Sequence, residues 1–90
     1  MRDATANQDP TVLALGALAW TLADPARAER LLALTGLDPQ ALRAAIDTPS
    51  TLVAVLDFLS AHEPDLIACA AAIGTQPQIL IAIRDRLENS

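Results

Sequence analysis

A chain of 90 residues closes one hydrophobic core and has no length for a second. Its apolar content of 52% is carried by Ala and Leu, with one Trp, one Phe and no Tyr, a composition that favours helices and argues against strands. Six basic residues against eleven acidic ones give a formal charge of −5, with no Lys and no cation between Arg43 and Arg84, which argues against a nucleic-acid partner, whose phosphates require clustered cations, and against an anionic membrane surface.

The chain opens with the polar stretch MRDATANQDP. It is the wrong start for a secretory signal and reads as a flexible segment over residues 1–8, followed by a single helical domain over residues 9–88. The apolar run Thr11 to Ala23 is 13 residues long, well short of the roughly 20 that span a bilayer. With one Cys and no partner for it, the chain reads as a cytoplasmic protein of a reducing compartment.

Six prolines set the expected elements. Each follows a residue that can cap or open a helix: Asp9, Asp24, Asp38, Thr48, Glu63 and Gln76. Pro is well placed in a first helical turn, where its missing N–H would have no partner, and Asp or Thr just before it can accept from the free amides. The fold class is therefore all-α, a compact bundle of about six short helices near residues 10–23, 25–35, 39–47, 49–61, 64–73 and 76–88. Gly36 and Gly74 are expected as left-handed turns that stop the second and fifth.

The first of these helices is apolar on two sides. Leu15, Leu18, Ala19 and Leu22 form one stripe; Leu13, Gly16, Ala17 and Trp20 form another on nearly the opposite face. Either the helix runs through the centre of the domain, or the second stripe meets a protein partner, with Gly16 and Ala17 allowing close approach and Trp20 as an anchor. The later helices carry one stripe each, among them Ala28, Leu31, Leu32 and Thr35; Leu52, Val55, Leu56 and Leu59; and Leu66, Cys69, Ala70 and Ile73.

The chain also echoes itself. ALTGLDPQALRAAID (33–47) and AAIGTQPQILIAIRD (71–85) agree at seven of fifteen positions, and Pro10 and Pro25 fall opposite Pro49 and Pro64 at a spacing of 39. Two similar three-helix units, each with a Gly-x-x-Pro-Gln corner, would produce this pattern. The corner LTGLDPQALR has the outline of a helix-turn-helix. Its second helix offers only Gln40 and Arg43 between Asp38 and Asp47, and those acids repel phosphate, so a packing corner is the preferred reading over a DNA-reading one.

The run LLALTGLDPQALR, followed by VLDFLSAHEPDL, resembles the small bacterial proteins of domain-of-unknown-function family 3572. The resemblance spans Ala17 to about Ile79 and is most specific at Leu34-Thr35-Gly36-Leu37, Leu56-Asp57-Phe58-Leu59 and Glu63. It implies a short cytosolic helical protein and carries no catalytic assignment.

Few residues invite chemistry. His62, Glu63 and Asp65, with Asp57 nearby, form the one acid–His cluster, which is thin for a metal that wants three or four ligands on fixed elements; as an acidic entry to the fifth helix it needs no ligand. Cys69 lies on an apolar stripe, where burial makes a thiol inert. Ser50 and Ser60 have no base nearby, and neither a phosphate-cradling glycine loop nor a Schiff-base Lys is present. No catalytic, metal or cofactor-binding residue is assigned and no cofactor is expected. The sequence favours a non-enzymatic module acting through protein contacts or self-association; the alternative is a small ligand- or metal-binding protein, or an enzyme, with its site near His62, Glu63 and Asp65.

Overall fold

A computed structural model describes residues 9–89; the segment expected over residues 1–8 lies outside them. The described residues form six helices and no strand: α1 Pro10–Leu22, α2 Pro25–Thr35, α3 Pro39–Ala44, α4 Pro49–Ser60, α5 Glu63–Ile73 and α6 Pro77–Glu88. Every helix has its proline in the first turn.

Three aspartates cap as expected. Asp9 Oδ1 accepts from the N–H of Thr11 at 2.9 Å and of Val12 at 3.2 Å. Asp24 Oδ2 accepts from Arg27 N–H at 3.0 Å, and Asp38 Oδ1 from Ala41 N–H at 2.7 Å. Each such cap contributes about 1 kcal/mol. Thr48 and Gln76 occupy the same place but make no side-chain capping bond, so α4 and α6 rely on their proline and on burial. Glu63 is not a cap: α5 starts one residue earlier than expected, with His62 in the capping position. Pro64 tolerates the second helical place because the amide there has no helical acceptor to lose, and Glu63 and Asp65 put negative charge at the positive end of the helix.

The two glycine corners turn as expected. Gly36 has φ +74° and Gly74 φ +80°, a region that costs other residues about 1 kcal/mol. Gly36 N–H returns to Leu32 O at 2.8 Å, whereas in the second corner Thr75 N–H reaches back to Ala70 O at 2.8 Å. The α5–α6 bend at the second corner is 95°, and no single helix among the described residues is long and apolar enough to cross a membrane.

The third helix departs from expectation. It stops at Ala44, and residues 45–47 are wound as turns in which Ala45 N–H bonds Leu42 O and Thr48 N–H bonds Ala45 O, both at 3.0 Å. Pro49 sets the outer limit. The residue before a proline is driven out of helical backbone, and Thr48 is extended at φ −82°, ψ 124°. α3 keeps one buried residue, Leu42, and is the most lightly packed helix. Its counterpart in the echo, α6, runs for 12 residues and buries Leu80, Ile83 and Leu87, lying along α4 in the most extensive helix pairing of the fold.

α1 packs against α2, α4, α5 and α6. Its stripe of Leu13, Gly16, Ala17 and Trp20 faces inward: Leu13 and Ala17 are buried, a Cβ at Gly16 would lie 3.8 Å from Ile73, and Trp20 is half-buried. The Thr21 hydroxyl, also buried, donates to Ala17 O at 2.9 Å, so no polar group is stranded there. α1 is the central helix, and α4 joins it through Leu52, Val55, Leu56 and Leu59. A charge at fully buried Ala17 would be unpaired, costing several kcal/mol out of a typical total of about 5–15. Ala17→Glu is expected to abolish the cooperative thermal transition followed by circular dichroism; a folded, normally melting variant would contradict the central placement of α1.

Candidate functional site

The acid–His cluster is brought together only in part, and the structure gives it a packing role. His62 Nδ1 lies 3.0 Å from Asp65 Oδ2, and the same oxygen accepts from Arg30 Nη2 at 3.2 Å. Arg30, on α2, also passes over the Phe58 ring at 5.6 Å from its centroid. Asp65 therefore ties the start of α5 to α2 across 35 positions of sequence. Glu63 is exposed in the first turn. Among the described residues no three His, Cys, Asp or Glu side chains stand close enough to hold a metal ion.

Asp57 is drawn away from that cluster by Arg84 of α6, whose Nε donates to Asp57 Oδ1 at 2.7 Å and whose Nη1 donates to Glu88 Oε1 at 2.6 Å and Asp85 Oδ1 at 3.1 Å. These carboxylates hold the guanidinium charged far above its ordinary range. Arg27 stacks on Trp20 with its guanidinium carbon 3.6 Å from the ring centroid. Its Nη2 donates to Trp20 O at 3.1 Å, while its Nε is buried without an acceptor. Trp20, a candidate interface anchor in the sequence, is thus covered from within by a cation–π contact.

Cys69 is fully buried. Burial pushes its thiol up to about 11, with Arg27 offsetting part of the rise and Asp65 adding to it. Two of the three pieces most typical of the family resemblance converge, Glu63 standing apart: Leu34, Thr35 and Leu37 face Ala54 and Asp57 across a shallow groove of about 340 Å³. Their neighbours Leu56, Phe58 and Leu59 are core, so these pieces are accounted for by the α2–α4 contact and the left-handed turn at Gly36.

The structure adds a site that the sequence reading did not single out. α1, α2 and α3 stand around a bowl of about 440 Å³. Leu18 and Leu42, both buried, form its floor, and Leu15, Ala28 and Leu32 are half-buried in its walls. Ala19, Leu22 and Ile46 are exposed along its rim, with Leu22 41% and Ile46 38% accessible. Its one charged wall residue is Arg43. The bowl exists because α3 is too short and too lightly packed to close over the outer stripe of α1, as α6 closes over α4. A signal for it was present, since Leu15, Leu18, Ala19 and Leu22 form one of the two stripes of an all-apolar helix; what the sequence lacked was any sign of which stripe would be covered.

A family model described as a protein of unknown function (DUF3572) matches residues 7–90, nearly the whole chain. No curated protein and no solved structure matches it.

The environment of Cys69 gives a measurable outcome. Because the thiolate is the nucleophile and this thiol is held protonated up to about 11, alkylation by iodoacetamide at pH 8 is expected to be negligible in the folded chain and to rise only as denaturant unfolds it. Rapid modification under native conditions would show that the thiol is not in this core.

Proposed function

The chain belongs to the DUF3572 family of proteins of unknown function, and from that premise we propose that it works by binding rather than by catalysis, with the bowl between α1, α2 and α3 as the site for an apolar small-molecule guest. The observation that carries the proposal is the bowl itself. Its volume of about 440 Å³ lies in the range of small-molecule sites, which are mostly hydrocarbon with a few placed polar groups, and its floor is preformed by core residues. The non-catalytic reading is supported by where the reactive side chains go: Cys69 into the core, Asp65 onto Arg30 and His62 together, Asp57 onto Arg84. A nucleic-acid role is disfavoured by the corner's second helix, six residues long with Arg43 as its one cation. A cytoplasmic setting belongs to the same proposal and rests on the lone Cys, buried as a free thiol.

A second reading, binding through protein contacts or self-association, is favoured by a different surface. α5 turns Pro64, Ile67, Ala68, Ala71 and Ala72 to solvent, with Ile67 52% exposed. These positions follow helical spacing and make one apolar outer face. The Leu13, Gly16, Ala17 and Trp20 stripe gives that reading no support, because it is packed inside this chain.

The neutral dye N-phenylnaphthylamine tests the bowl. It is expected to bind one molecule per chain with enhanced fluorescence. That signal should be lost in Ala19→Trp, which fills the bowl from an exposed rim position and so leaves the fold standing. No binding, or binding unchanged by the substitution, would reject the bowl as the site.

A further inference from the structure

We infer that the guest of this bowl is an amphiphilic carboxylate, a straight-chain alkanoate of medium length, with its hydrocarbon tail against Leu18 and Leu42 and its carboxylate at Arg43. The inference rests on the binding reading above and adds the chemistry of the guest. Three observations carry it.

The first is charge. Acidic residues outnumber basic ones eleven to six, and Arg27, Arg30 and Arg84 are all engaged by partners within the chain. Arg43 lines the bowl and makes no ion pair or hydrogen bond among the described residues, although Asp38 and Asp47 are close in sequence. A guanidinium left free at the edge of an apolar cavity is a fork for a planar anion, which it meets with two parallel N–H donors.

The second is the wall. Apart from Arg43, the side chains facing the bowl are Leu, Ile, Ala and Pro. A guest carrying hydroxyls or amides along its body would leave them unpaired there, at a cost in affinity, so the body that fits is plain hydrocarbon. The third is position. Arg43 is exposed while Leu18 and Leu42 are buried, which places the charged head at the water boundary and the tail inward, the polarity of an amphiphile. One acyl chain fits the volume; a cationic amphiphile is repelled, and a neutral one gains a single weaker hydrogen bond in place of a bidentate charge-assisted pair.

Decanoate, decanol and decyltrimethylammonium, each held below its aggregation concentration, are titrated into the ¹⁵N-labelled chain and followed by amide chemical shifts. For the wild type, decanoate is expected to bind one per chain with shifts confined to α1, α2 and α3, and decanol and the ammonium more weakly. In Arg43→Ala, an exposed position whose change leaves the core intact, decanoate affinity should fall by about tenfold, the worth of a charge-assisted pair, to the level of decanol. Arg43→Lys should recover part of it, and Ala19→Trp should abolish it. Equal affinity for decanoate and decanol, no response to Arg43→Ala, or decanoate shifts located on the outer face of α5 would overturn the inference. If the neutral dye binds the bowl and decanoate does not, the head-group assignment fails and the bowl stands; if neither binds, both readings fail.

Discussion

Six prolines in 90 residues keep every helix of this chain too short to persist alone. Isolated helices below about 12–15 residues are marginal in water, and these run from 6 to 13 residues. Their stability therefore comes from the apolar stripe each one buries, and that requires a common surface. α1 supplies it, being apolar all round, and α4 extends it. The aspartate caps and left-handed glycines place the breaks; burial against α1 and α4 makes the pieces hold.

The bowl is a consequence of the same punctuation. Both halves of the chain turn through a Gly-x-x-Pro-Gln corner and then bury a leucine, Leu42 in one and Leu80 in the other. After Leu80 the helix continues and buries Ile83 and Leu87 along α4. After Leu42 the chain meets Pro49 and must leave helical backbone at Thr48, so no equivalent second and third anchors exist. α1 keeps its outer stripe partly uncovered, and the free Arg43 is left on the rim. A missing turn and a half of helix is in this sense the origin of the candidate site.

What was legible in the sequence was local. A proline and the residue before it fix a helix start within a few bonds, and Gly36 and Gly74 announce positive φ, so all six helices and both corners are readable without tertiary information. Residues 45–47 continue an acceptable helical pattern up to the limit that Pro49 sets at Thr48, and the earlier exit of the backbone at Ala45 has no local signal. The choice between the two stripes of α1 was not legible, since both have helical spacing and similar composition, and which is covered depends on helices distant in sequence. The tie from Arg30 to Asp65 and the stacking of Arg27 on Trp20 were hidden for the same reason. The acid–His cluster looked like a possible site because proximity in sequence was visible, whereas the arginine that occupies it was not.

The central claim is that α1 and α4 carry the stability of the fold while α3 is a lightly held wall standing beside a preformed bowl. Native-state hydrogen exchange tests it residue by residue. The amides of the central turns of α1 and α4 are expected to exchange only through global unfolding, and those of Leu42, Arg43 and Ala44 through local opening, at least about a hundredfold faster. Protection of the α3 amides equal to that of α1 would contradict the claim, because it would mean that α3 is locked into the core and opens only with the whole fold.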